Sequence, residues 1–232
     1  MKLEFRNLAL DRPGRAGAIH DLTLSLDSRR CKSVAVLGAN GAGKSTLLEG
    51  ILGLVPIHAG NIVVDDLAVE PKNYTKLRAK VGMVFQNSDH QLFSHTVGED
   101  IAFGPRNLGL SSEEVEQRVQ KSMRILGIGG LADRGINHLS GGEKRRVALA
   151  GVLAMAPEAI LLDEPTAMLD PRTCRELAET LRRISSFQLV ATHDLAFARQ
   201  VCGEAIVLRD GALVYAGDMQ IPEAVMQEAG LV

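Results

Sequence analysis

The sequence predicts an α/β fold, a sheet covered by helices on both faces and interrupted by a mostly helical insertion. Three observations predict it. Short apolar runs recur at 34–37, 81–85, 160–162, 189–191 and 205–208, separated by helical stretches. These runs are apolar on successive positions, which suits strands buried on both sides. Between about 94 and 156 the apolar spacing becomes helical instead.

Each element has a local reason. Met1 to Leu10 alternates like a strand. In the insertion, Ser111-Ser112-Glu113-Glu114 opens a helix whose Val115, Val119, Ser122, Met123 and Leu126 share a face, and glycines at 127–130 end it. A second helix follows Ser140, with Val147, Ala148, Gly151, Val152 and Met155 on one small apolar face. Near the end, Asp210-Gly211 separates two apolar runs and predicts a hairpin over roughly 205–216, because Asp-Gly accepts the positive φ angles of a tight turn.

Composition excludes several classes. The 232 residues can bury a sizeable core, and 46% hydrophobic with 23% charged is ordinary for a globular protein. A formal charge of −2 argues against a general nucleic-acid binder. Cys31, Cys174 and Cys202 lie far apart and fit neither a zinc site nor a disulfide framework, so they read as thiols of a reducing compartment. The first residues are too charged for a secretory signal, and no apolar run reaches the ~18 residues of a membrane span. If the protein works at a membrane, another chain must supply the span.

The chemistry begins at Gly38-Ala39-Asn40-Gly41-Ala42-Gly43-Lys44-Ser45-Thr46, between a strand and a helix. The spacing G-x-x-x-x-G-K-S lets backbone N–H groups point at phosphate oxygens at the positive end of a helix. Lys44 can reach the terminal phosphates and Ser45 can ligate Mg²⁺. Ile160-Leu161-Leu162 ends in Asp163-Glu164-Pro165. A carboxylate at the tip of a core strand lies beside such a loop, so Asp163 fits Mg²⁺ and Glu164 fits the attacking water. His193, after the strand at 188–191, can reach the same place. The reading is a nucleoside triphosphatase.

Leu139-Ser140-Gly141-Gly142-Glu143 opens a helix with capping-box spacing and two glycines that bare the backbone. A cap needs no paired glycines, so a second anion site is expected there. The following Lys144-Arg145-Arg146 reads as a solvated face rather than a nucleic-acid contact.

Together these motifs, with Gln86 after a strand and Leu169-Asp170, resemble the ATPase subunits of ATP-binding cassette (ABC) transporters over essentially the whole chain. The resemblance implies a RecA-like core, a small antiparallel β-subdomain and a helical subdomain. It implies ATP and Mg²⁺, with Lys44, Glu164, His193 and Gln86 catalytic and Ser45, Gln86 and Asp163 at the metal. It also implies a dimer with itself or a related subunit, in which Leu139, Ser140, Gly141, Gly142 and Glu143 face the partner's ATP and Asp170 lies at the seam. Val84-Phe85-Gln86-Asn87-Ser88-Asp89-His90-Gln91-Leu92-Phe93, then Thr96-Val97-Gly98-Glu99-Asp100-Ile101-Ala102-Phe103-Gly104-Pro105, is similar to energy-coupling-factor importers of the cobalt and nickel group. That likeness implies that Asp89, Gln91, Leu92 and Phe93 touch a transmembrane subunit at the cytoplasmic face of the membrane. Transmembrane coupling and substrate-binding subunits would be partners, and no nucleic acid is expected. His90, His95 and His138 are not read as a cobalt site. Two departures stand out. Arg12 holds the place where many relatives stack an aromatic ring on adenine, and the chain ends soon after Gly217, where many of this group continue. The alternatives are an importer of another small solute and a soluble cassette ATPase uncoupled from transport.

Overall fold

A computed structural model describes residues 1–12 and 15–231. In chain order the elements are β1 (Lys2–Arg12), β2 (Arg15–Asp27), β3 (Ser33–Leu37), α1 (Lys44–Ile51), β4 (Ile57–Val64), β5 (Leu67–Ala68), α2 (Tyr74–Lys80) and β6 (Val81–Val84). Then come α3 (Val97–Asn107), α4 (Ser112–Ile125), α5 (Gly141–Ala154), β7 (Ala159–Asp163) and α6 (Pro171–Arg183). The chain closes with β8 (Phe187–Thr192), α7 (Leu195–Val201), β9 (Glu204–Arg209), β10 (Ala212–Asp218) and α8 (Glu223–Glu228).

The strands form two sheets. The larger has the order β10-β9-β3-β8-β7-β6, parallel throughout except for the β9–β10 hairpin. The smaller is antiparallel, β2-β1-β4-β5. The β9–β10 turn has Asp210 at φ 49° and Gly211 at φ 88°, the positive pair that a tight turn requires.

Alternation along the central strands divides the interior. Val34 and Val36 of β3, with Leu161, Leu189 and Ala191, pack toward α1 and the smaller sheet. Ala35, Leu37, Ile160, Leu162 and Val190 pack on the other side, against Ile101, Val119, Val147, Leu177 and Phe197 from the helices. Both faces of the sheet are therefore covered, which is why successive residues in these strands are apolar.

The helices between β6 and β7 are defined at their starts. Thr96, Ser111 and Ser140 each form a reciprocal capping box with a glutamate three residues on, opening α3, α4 and α5. The helix at 97–107 is not separately legible in the sequence, because Gly98, Gly104 and Pro105 weaken its pattern. Tertiary packing overrides that weakness: Val97 and Ile101 are fully buried. No helix among the described residues is long and apolar enough to cross a membrane.

Candidate active site

Parallel register assembles the site. Leu37 of β3 is paired with Thr192 of β8, and Asp163 of β7 with Ala191 of β8. The chain leaves these three strands at neighbouring points along one edge, so Gly38, Glu164 and His193 emerge together at the carboxyl ends, where α/β sheets bind ligands.

The loop leading into α1 is shaped by glycine. Gly43 has φ 104°, and a Cβ there would come within 2.7 Å of the Ala18 carbonyl oxygen and of Ile19 Cδ1. Gly43 is also the N-cap of α1, and no side chain caps the helix. The first amides of α1 thus keep their donors for an anion. The loop is braced from outside: Gly211 N–H donates to the Ala42 carbonyl at 3.1 Å, and His20 N–H donates to the Gly211 carbonyl at 3.1 Å.

Lys44 is buried, and its ammonium donates to the carbonyls of Gly38 at 2.8 Å and Ala39 at 3.2 Å. Glu164 Oε1 lies 3.3 Å from that ammonium but makes no hydrogen bond. Glu164 Oε2 accepts from Thr192 Oγ1 at 3.2 Å and lies 3.0 Å from His193 Nδ1. Glu164 adopts φ 42°, a left-handed conformation that costs a non-glycine residue of the order of 1 kcal/mol. Its N–H donates to the Ala191 carbonyl at 2.8 Å, which helps hold it there. Thus a carboxylate sits buried between a lysine, a hydroxyl and an imidazole.

Beside it, Ser45 Oγ donates to Asp163 Oδ1 at 2.9 Å. Burial pushes the Asp163 carboxyl above its ordinary range; the Ser45 hydrogen bond opposes this, and the nearby Glu164 charge reinforces it. The chemistry suits a hard cation: a hydroxyl and a buried carboxyl that gains from a nearby positive charge. Gln86 is exposed, and its side chain makes no hydrogen bond to Ser45 or Asp163. Arg12 lies at the end of β1, where it pairs with Glu49 of α1 at 3.2 Å. Its neighbour Pro13 lies outside the described residues.

At the second glycine pair, Ser140 Oγ accepts from Glu143 N–H at 3.3 Å, while Glu143 Oε2 accepts from Ser140 N–H at 2.7 Å. That backbone bond, with the Ser140 hydroxyl, holds the Glu143 carboxyl below its usual range. A Cβ on Gly141 would meet nothing within 4 Å, and one on Gly142 only ordinary contacts at 3.4 and 3.8 Å. Nothing inside the chain crowds out a side chain at either position. Leu139 beneath them is buried. Asp170 caps α6, accepting from Arg172 and Thr173 N–H.

The expected solvated face at Lys144-Arg145-Arg146 needs correction. Arg145 is buried, at 6% exposure, and donates to the carbonyls of Phe85 at 2.7 Å and Gln86 at 2.6 Å. Lys144 pairs with Asp89 at 2.6 Å, and Arg146 with Glu176 at 3.7 Å. A periodic signal was available: residues 145, 148, 149 and 152 share one helix face, and the last three are small or apolar. Thr192, fully buried against Glu164, also escaped sequence reasoning. After the turn at Ser88–His90, Gln91 is tied to Phe85 N–H and the Met83 carbonyl, and Leu92 is buried. Phe93 is 63% exposed and meets Phe103, itself 47% exposed, edge to face at 4.7 Å.

This combination of fold and loop defines a P-loop nucleoside triphosphatase. The family model described as ABC transporter matches residues 21–167. The chain is similar to the energy-coupling factor transporter ATP-binding protein EcfA of Methanothermobacter thermautotrophicus, with 41% identity over 99% of this chain and 74% of that protein. Among solved structures, it resembles cbiO1 from Clostridium perfringens, part of the ABC transporter complex cbiONQ, with a TM-score of 0.85 and 32% identity over 98% of this chain and 92% of that one. It also resembles a dimeric ATP-binding cassette in a post-hydrolysis state bound to ADP and Pi, with a TM-score of 0.82 and 26% identity over 96% and 100% of the two chains. The chain therefore belongs to the ABC transporter family, as an ATPase subunit of the energy-coupling-factor type.

Proposed function

We propose that this chain is the ATP-hydrolysing motor of an energy-coupling-factor importer for cobalt or nickel ions, peripheral to the cytoplasmic face of the membrane. The observation that carries the hydrolytic part is the Glu164 carboxylate. It is buried beside Lys44, and its other oxygen is oriented by Thr192 and His193. From there Glu164 orients a water and takes its proton, while Lys44 and the amides of residues 38–46 hold the phosphates. His193 steadies Glu164 and reaches toward the γ-phosphate. Ser45, Asp163 and Gln86 would hold Mg²⁺, which supplies charge neutralisation at the phosphates. Arg12, fixed by Glu49, would lie against the base through its planar guanidinium.

Residues 139–143 would complete a second copy's site. The absence of crowding at Gly141 supports this, because a bare turn with no internal reason suits close approach by a ligand from outside. Asp170 would lie at the seam of that dimer, formed with itself or a related subunit. The helices within about 94–156 form the subdomain that carries this turn, and the strands over about 205–216 close the core. Asp89, Gln91 and Phe93 would meet the transmembrane coupling subunit, and Leu92 of the same predicted contact, being buried, would act by supporting Phe93 from the core.

The metal-ion assignment rests on the likeness of residues 84–93 and 96–105 to that importer group, and on the similarity to cbiO1. Co-purification of the chain with its membrane partners, followed by ATP-dependent uptake of labelled Co²⁺ or Ni²⁺ into vesicles, tests it. Uptake of neither ion by a complex that hydrolyses ATP would overturn the assignment and leave the ATPase intact.

A further inference from the structure

Away from the nucleotide loop, a cleft of about 710 Å³ lies between α4, the C-terminal end of α5 and the turn joining α6 to β8. Its walls carry Arg118, Lys121, Arg124 and Arg183 and no carboxylate. That is a marked local excess in a chain with 28 acidic and 26 basic residues. The adjoining cleft shares Arg124 and Arg183 and adds Arg145 and Arg146, but it also holds the carboxylates of Glu176 and Glu179.

Only one of the four cations is engaged. Arg118 donates to the carbonyls of Met155 at 3.0 Å and Ala154 at 3.4 Å, closing the end of α5. The side chains of Lys121, Arg124 and Arg183 make no hydrogen bond or ion pair among the described residues. Like charges gathered without a counter-ion repel one another, and an anion among them converts that repulsion into attraction. Arg118, Lys121 and Ile125 follow one another at helical spacing on the face of α4 that borders the cleft. The same lining carries the apolar side chains of Ile125, Leu153 and Ile184 beside Ser122, Ser185 and Ser186. The volume is in the range of small-molecule sites, which join apolar walls to a few convergent polar groups.

We propose that this cleft binds an organic phosphate, its phosphate held among the four cations and its carbon portion lying on Ile125 and Ile184. Three guanidinium forks and an ammonium match the several oxygens of a phosphate better than a single carboxylate does. Contact with these apolar side chains favours an ester over the inorganic ion. Such a group belongs either to a soluble phosphate ester or to the headgroup of an anionic phospholipid.

The test uses the full chain with labelled isoleucine methyl groups. It is titrated with glycerol 3-phosphate and, separately, sedimented with phosphatidylcholine vesicles with or without phosphatidic acid. Shifts of the Ile125 and Ile184 signals on adding glycerol 3-phosphate support a soluble ligand. Sedimentation that depends on phosphatidic acid supports a lipid one. In either case, the double variant K121E/R183E is expected to weaken binding by about tenfold or more and to leave ATP hydrolysis at the wild-type rate. The proposal is overturned if neither probe binds, if K121E/R183E binds as well as wild type, or if an oligoglutamate peptide binds as tightly as glycerol 3-phosphate.

Discussion

The Arg145 guanidinium donates at 2.6 Å to the carbonyl oxygen of Gln86, joining the helix that begins at the paired glycines to the loop that leads toward Phe93. Arg145 also holds Phe85, so two consecutive carbonyls of the loop depend on one side chain. The loop and α5 are therefore expected to move as one body.

Replacing this arginine by a shorter, unbranched apolar residue tests that link. Arg145→Met leaves both carbonyls without their charged donor. It is expected to lower unfolding stability by roughly 2–4 kcal/mol, measured by urea denaturation. The loop at 86–91 should then exchange its amide hydrogens faster, while the phosphate loop remains protected.

Glu164→Gln keeps the shape of the side chain but removes its capacity to take a proton. Turnover is expected to fall by about 10²–10⁴-fold, with ATP affinity retained. An ATP-dependent dimer should accumulate on a sizing column. Hydrolysis at the wild-type rate in this variant would remove Glu164 from its assigned role.

Asp163 yields a prediction about stability and pH. Its carboxyl is raised in the folded chain, mainly by burial, so the folded state holds this proton more tightly than the unfolded state does. As pH rises from the ordinary carboxylate value through the raised one, the nucleotide-free protein loses stability at this position. Asp163→Asn is expected to raise the melting temperature of the nucleotide-free chain at neutral pH and to abolish turnover. Thermal scans without and with MgATP check both, and the gain from MgATP should be smaller in the variant.

The exposed aromatic pair separates docking from folding. Phe93→Glu or Phe103→Glu is expected to weaken pull-down of the membrane partner while basal hydrolysis is retained. Leu92→Glu, by contrast, places a charge in the core and should cost about 3 kcal/mol or more in stability. Equal assembly by the Phe93 and Phe103 variants would move the docking face elsewhere.

Much of this molecule is legible in its sequence, for identifiable reasons. The strands at 34–37, 160–162 and 189–191 could be read because burial on both faces leaves unbroken apolar runs. The helix starts at Ser111 and Ser140 were legible because a cap is a local arrangement of four residues. Lys44 and Ser45 could be read from the loop motif that opens α1, and Asp163, Glu164 and His193 from their places at strand ends; the structure brings the five side chains together. What escaped depends on contacts distant in sequence. Arg145 reaches residues about 60 positions away, and a run of three basic residues gives no sign that its middle member turns inward. The helix at 97–107 was hidden by its glycines and proline, and Phe103 became visible only once folding set it against Phe93.

The bracing of the phosphate loop has a consequence for synthesis. Ala42 is tied to Gly211, and Gly211 to His20, so the loop leans on two hairpins from opposite ends of the chain. During translation the N-terminal strands and the loop emerge first, yet their brace follows more than 150 residues later. Closure over so long a separation is slow compared with local helix formation. A nascent chain is therefore expected to grip ATP tightly only after its last sheet strands have emerged, which ATP binding by chains shortened before residue 205 would check.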